Sequence, residues 1–245
     1  MTVANALGNL PPVTSSPFSL DPELLQRILD EAKPLGHREQ AANLNLGFGF
    51  LYYGLVRSLR PGHVLVIGSG YGFSVVCLAL GLKDNGMGAL TFVDPSYSLV
   101  RNGPTKTIGG ADFWHDADHV RAHFARFGVE DLVTHYKHTA EEFFARYDEF
   151  DMPQIDLAFI DGNHSYRHVQ HDVVAVLKHC HKNSYFLLHD TNIYIRELLR
   201  HAGVKRWLKR KAARHKAAFE YVDFPFSSGV ALVRVLEPSV WQQLS

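Results

Sequence analysis

Cysteine is scarce in this 245-residue chain: Cys77 and Cys180 are the two present. Two thiols, each in an apolar stretch read as helical, exclude a disulfide framework and a Cys-rich zinc module, and they fit a reducing compartment. Net charge is also missing, since 25 Lys and Arg balance 25 Asp and Glu. That balance argues against a partner held by bulk electrostatics, such as a nucleic-acid backbone or an anionic membrane. No apolar run reaches the ~20 residues needed to cross a bilayer. Residues 1–20 begin MTVANALGNLPPVTSSP, without a basic start or a long apolar core, so they read as a leader rather than a secretory signal. The expected location is cytoplasmic. Histidine is what the chain has in excess, with 15 copies whose roles position must decide.

Residues 21–60 read as a helical cap. Asp21 is an N-cap with Pro22 behind it, and Leu24, Leu25, Ile28 and Leu29 share one apolar face. A second helix is expected over Arg38–Leu59. From residue 61 the pattern changes to short apolar runs alternating with helical segments. The runs are Val64–Ile67, Ala89–Val93, Leu132–Tyr136, Ile155–Ile160 and Tyr185–Leu188. The helices are Phe73–Leu82, Asp116–Phe127, Ala140–Tyr147 and Tyr166–His179. This rhythm predicts an α/β fold, a parallel sheet with helices on both faces. A helix over Ile193–Lys216 and two closing strands, Phe219–Val222 and Val230–Val235, end the chain as an antiparallel pair.

Val64-Leu65-Val66-Ile67-Gly68-Ser69-Gly70-Tyr71-Gly72-Phe73-Ser74 is a buried strand ending in three alternating glycines, with a helix directly after. Bare Cα positions let the chain turn sharply and let a ligand touch the backbone, and the helix N-terminus offers free N–H groups. A dinucleotide loop would need glycine where Phe73 stands. The observed G-x-G-x-G spacing is that of S-adenosylmethionine sites. The next strand ends in Asp94, a carboxylate placed to accept two ribose hydroxyls, or to cap the loop that Pro95 and Ser96 begin.

With Phe92-Val93-Asp94, the run Phe159–Tyr166 (FIDGNHSY), Leu187-Leu188-His189-Asp190-Thr191 and the strand Gly229–Val235, the chain resembles the class I S-adenosylmethionine-dependent methyltransferases. It is most similar to their branch of small-molecule and sugar O-methyltransferases of natural-product pathways. The resemblance covers residues 40 to 236. It implies a Rossmann-like, seven-stranded, mostly parallel sheet with an antiparallel last strand, and a methyltransferase domain over 61–245. It implies that Gly68, Ser69, Gly70, Tyr71 and Gly72 line the methionine and ribose, and that Asp94 holds the ribose. His138 and Thr139 would flank the adenine, and Asp161 would face the methionine end and the substrate. One position departs from the pattern: Val66 stands where the family usually has an acid, two residues before the first glycine.

Asp161 closes one strand and His189-Asp190 the next, with His164 three residues beyond Asp161, so these polar side chains are expected to converge. Methyl transfer needs an aligned nucleophile and a route for its proton. His164 or His189 is the candidate base, Asp161 and Asp190 complete the candidate catalytic set, and the two acids are also the candidate ligands of a divalent cation, magnesium or manganese. Imidazole beside a hard ion counts against that ligand set. His168 and His171 read as a solvated helix face. Gly109–His115 is either a substrate lid or a loop tucked on the core. The basic run Lys205–Lys211 is a solvated face or a seat for an anion. The expected partner is a small molecule, with neither nucleic acid nor membrane, and self-association stays open. Two other functions compete with an enzyme acting on hydroxyl groups: a non-catalytic cofactor-binding module of this fold, for which Val66 speaks, and an NAD-dependent oxidoreductase, which Phe73 opposes.

Overall fold

A computed structural model describes residues 20–96, 100–102, 105–107, 112–192 and 203–244. Residues 1–19 of the leader therefore lie outside the described residues, as do Gly109–Ala111 and residues 193–202 of the expected helix.

Helix α1 (Pro22–Glu31) starts where Asp21 accepts the Leu24 N–H at 2.8 Å and packs Leu24, Ile28 and Leu29 inward. Helix α2 starts later than the expected Arg38, spanning Phe48–Leu59. Residues 38–47 cannot continue it upstream, because Arg38, Leu44 and Gly47 take positive φ. A Cβ on Gly47 would collide with the His37 carbonyl, so the glycine permits a close crossing there.

The alternating region follows: β1 (His63–Ile67), α3 (Phe73–Asn85), β2 (Ala89–Val93), a small hairpin of β3 (Val100–Asn102) and β4 (Thr105–Thr107), α4 (Ala117–Ala125), β5 (Val133–Tyr136), α5 (Ala140–Ala145), β6 (Ile155–Ile160), α6 (Tyr166–His179) and β7 (Cys180–His189). Cys180 thus opens a strand rather than lying in a helix. Of the expected helix 193–216, residues 203–216 are described; they are helical over Val204–Trp207 and form a π turn over Leu208–Ala212, and the helix ends there, short of Lys216. Strands β8 (Phe219–Phe224) and β9 (Val230–Val235) close the sheet.

The seven-stranded order is β5-β2-β1-β6-β7-β9-β8. The pairs from β5 through β7 are parallel, and β9 runs antiparallel between β7 and β8. This is the Rossmann-like sheet that the resemblance implied. Alternation along β1 shows how it is buried. Val64 and Val66 join one core with α1, α2, α3 and α4, while Leu65 and Ile67 join another with α6 and the 204–212 segment. A strand buried on both faces needs apolar side chains at every position, which is why it reads as an unbroken apolar run. Val66 is wholly buried on the α2–α3 side, a place where an unpaired carboxylate would be costly. Among the described residues, no helix is long and apolar enough to cross a membrane.

Candidate active site

The topology brings the carboxyl ends of β2, β1, β6 and β7 to one edge, where ligands of open α/β sheets bind. The loop after β1 provides the first half of the site. A Cβ at Gly68 would lie 2.7 Å from the Asp161 carbonyl, so this glycine lets the ends of β1 and β6 touch. Among the described residues, a Cβ at Gly70 would meet nothing within 4 Å, so its bare face opens on space a ligand can fill. Gly72 is hemmed in by Trp114. Trp114 is buried, stacks on Phe124 at 5.4 Å and donates its Nε1–H to the Gly70 carbonyl at 2.9 Å. The described end of the Gly109–His115 loop is therefore tucked on the core and braces the glycine turn. Ser69 is also buried, with its hydroxyl 2.5 Å from that of Ser74, while the Tyr71 ring is half-buried beside Phe113 and Lys33.

Asp94 sits beside this loop. Its carboxylate accepts the Ser96 N–H at 2.7 Å and is also bonded to the Ser69 backbone. Burial pushes its pKa up to about 6 against those two N–H groups, with a further upward push from Asp161. The acid is thus held against the glycine turn rather than turned to bulk water. His138 and Thr139 follow β5, whose Tyr136 carbonyl accepts the Asp94 N–H at 3.2 Å. Thr139 caps α5 in a reciprocal capping box with Glu142, so its side chain already has a structural task.

The second half of the site is a cluster of acids and imidazoles at the tips of β6 and β7. Asp161 Oδ1 accepts His189 Nδ1–H at 2.9 Å and His164 Nε2–H at 3.0 Å. The other nitrogen of His164 pairs with Asp190 Oδ2. Asp190 itself adopts φ +66°. His189 Nε2 lies 3.0 Å from the Ser228 hydroxyl, which donates to the Gly36 carbonyl at 2.5 Å. Ser228 therefore accepts, and His189 carries a proton on both nitrogens. Burial alone would push His189 down. The Asp161 charge and hydrogen bond, then Asp190 and the Gly36 carbonyl, outweigh it and lift His189 to about 9. Burial raises Asp190 to about 6, opposed by His189 and reinforced by Asp161.

Three further residues complete the cluster, and sequence reading missed them. His37 stacks on His189 and bonds through Nδ1 to the Tyr52 hydroxyl at 3.0 Å. Burial, then the neighbouring His189 charge, push His37 well below the usual imidazole range, so it is neutral. Ser228 arrives from the β8–β9 turn. None of these carries a local motif; a buried His after a glycine in the cap was the faint signal available. His168 and His171 lie on the outer part of α6, bonded to Ser165 and Asp172.

The expected metal pair, Asp161 and Asp190, does not enclose a free gap, because the His164 ring bridges the two acids. A different trio, His37, Asp161 and His189, places its ligand atoms within 4.8 Å of one another. A metal lies in the plane of each imidazole that binds it, and these two rings are stacked with only 23° between their planes. As arranged, neither set fits an octahedral, oxygen-preferring ion.

Comparison with known proteins agrees with the fold. The O-methyltransferase TomG of Streptomyces achromogenes, involved in tomaymycin synthesis and solved with S-adenosylmethionine, has a TM-score of 0.61 at 18% identity, covering 89% of this chain and 91% of its own. An O-methyltransferase from Bacillus cereus, solved with S-adenosylhomocysteine, has a TM-score of 0.62 at 15% identity, covering 88% and 92%. A methyltransferase of Podospora anserina, also bound to S-adenosylhomocysteine, has a TM-score of 0.57 at 18% identity, covering 89% of each chain. No protein of curated function matches this chain in sequence. The family model of a methyltransferase domain matches residues 65–191, more than half of the chain and all of the strand tips described above. The chain belongs to this family of methyltransferase domains.

Proposed function

We propose that this chain is an S-adenosylmethionine-dependent O-methyltransferase acting on a hydroxyl of a small molecule. The observation that carries the reading is the adjacency of two halves: an open glycine turn with Asp94 beside it, and an acid–imidazole cluster joined to it where Gly68 meets Asp161. The solved relatives that hold S-adenosylmethionine or its demethylated product support the choice of cofactor. When bound, the cofactor supplies an electrophilic methyl group on a sulfonium.

The residues present fit such a group. The backbone from Gly68 to Gly72 would lie against the methionine and ribose, with Gly70 leaving room. Asp94 would accept the ribose hydroxyls, and His138 and Thr139 would border the adenine. At the other end, Asp161 Oδ1 is held by two imidazoles, and its second oxygen, which bonds no described residue, would accept the acceptor's hydroxyl hydrogen. That contact orients the oxygen for in-line attack and takes its proton as the new bond forms. His164 and Asp190 share the next proton along the chain of contacts.

Calorimetry with S-adenosylmethionine, S-adenosylhomocysteine and NAD tests the cofactor. Micromolar binding of the first two is expected, and a preference for NAD overturns the reading. Mass spectrometry of hydroxylated metabolites incubated with enzyme and cofactor tests the chemistry. The expected result is the mass gain of one methyl group on oxygen. Cofactor binding without transfer to any hydroxyl compound would leave a binding module.

A further inference from the structure

We propose that the positive charge a divalent ion would bring to the tips of β6 and β7 is supplied by this chain's own imidazoles, His164 and His189, and that no metal binds there. The proposal rests on the methyl-transfer reading of the site and adds how its acids are balanced.

Four contacts argue for it. His164 lies between Asp161 and Asp190 with one ring nitrogen on each, at the position a bridging cation would take. His189 gives one N–H to Asp161 and the other to Ser228, whose own hydrogen goes to Gly36. With every contact carrying its proton, two carboxylates face two imidazolium rings and the cluster is neutral. A divalent ion enters such a cluster only if protons leave, because a ring nitrogen that binds metal cannot keep its hydrogen.

Among the described residues, the neighbouring oxygens a hard ion would recruit are engaged. Thr191, next to Asp190, is buried and donates its hydroxyl to Asp223 at 2.7 Å. The groups packed on His189 from the cap are the neutral His37 ring, the Tyr52 hydroxyl behind it and the Gly36 carbonyl, which already accepts from Ser228 and His189; none of them is an anionic oxygen. A magnesium ion needs near-octahedral oxygen ligands close to 2.1 Å, and this cluster offers two acids already joined through nitrogen.

The imidazolium arrangement has a chemical consequence. It balances the acids as a metal would, yet it can also exchange protons. Charge that develops on the acceptor oxygen meets N–H groups in fixed positions rather than a Lewis acid.

Calorimetric titration with magnesium chloride and with manganese chloride, at neutral pH and with S-adenosylhomocysteine present, tests the proposal. The wild-type chain is expected to show no saturable metal binding and no rise in melting temperature. His164→Ala, which removes the ring between the acids, is expected to gain one-site manganese binding and a metal-dependent rise in melting temperature. Saturable binding to the wild type that Asp161→Asn abolishes would overturn the proposal. So would a folded His164→Ala that still ignores manganese. If that variant fails to fold, His164→Asn replaces it. The S-adenosylhomocysteine titration in the same protein separates the two readings: if it shows no binding, the methyltransferase assignment fails, whatever the metals do.

Discussion

The ring of His37 lies flat on the ring of His189, with centroids 4.3 Å apart and 23° between the planes. One ring is neutral and tied to Tyr52, while the other is charged and tied to Asp161. A charged imidazole without access to water needs acceptors for both N–H groups and a polarisable face, and His37 supplies the face. The cap thereby becomes part of the active site: its first turn after α1 closes over the tip of β7.

That contact gives the stability a defined alkaline limit. His189 faces Asp161, Asp190, His164, His37 and the Ser228 hydroxyl, and its folded pKa is raised to about 9 from an ordinary 6.5. A group raised on folding contributes stability that is complete below its unfolded pKa and is lost as pH rises through the folded one. Thermal unfolding is expected to show falling stability from pH 7 through about 9. His189→Gln should flatten that slope and lower stability at neutral pH. An unchanged slope would remove His189 as the titrating group.

Asp94 sets a limit in the opposite direction for the cofactor. Its pKa of about 6 in the free protein should fall when ribose hydroxyls bond to the carboxylate, so binding releases a proton. Affinity for S-adenosylhomocysteine is expected to tighten as pH rises toward 6 and to level off above it. Asp94→Ala should cost about 1–3 kcal/mol of binding, the scale of a hydrogen bond to a charged group left unmade. Equal calorimetric affinities for variant and wild type would take Asp94 out of the site.

Two glycines of one loop should respond differently to the same change. Both have positive φ, so alanine costs roughly 1–2 kcal/mol at either. At Gly68 the new methyl also meets the Asp161 carbonyl, so Gly68→Ala should lower the melting temperature further and disturb the acid cluster. At Gly70 the methyl enters open space, so Gly70→Ala should fold and yet lose cofactor affinity. Thermal melts alongside calorimetry separate the outcomes.

Asp190→Ala removes the far partner of His164 without touching the glycine turn. Turnover is expected to vanish while S-adenosylhomocysteine affinity stays as in the wild type. Methyl transfer at the wild-type rate would dismiss the β6–β7 cluster as the chemical centre.

Local pattern carried much of this protein. Ala89–Val93, Ile155–Ile160, Tyr166–His179 and Val230–Val235 have the boundaries their periodicity predicts. A strand buried on both faces is apolar throughout, and a helix with one buried face repeats every three to four residues; neighbours in sequence are enough to see either. The glycine turn, Asp94 and Asp161 were legible for the same reason, since each sits at a strand tip. The start of α2 was not, because good helix formers such as Arg38, Glu39, Gln40, Ala41 and Ala42 precede a backbone that crosses itself at Gly47. The hairpin Val100–Asn102 and Thr105–Thr107 was missed because three-residue strands are too short to show a period.

The amino-acid order by itself determined which elements form and which acids stand at their ends, because those depend on contacts within a few residues. The tertiary structure alone decided what surrounds those acids. Ser228 bonds to Gly36 across 192 positions of chain, and His37 reaches His189 from the opposite end of the sequence. Such pairings follow from how the sheet stacks β9 against β7 and how the cap closes over that edge. No spacing rule encodes them, because their geometry exists only once both cores are packed.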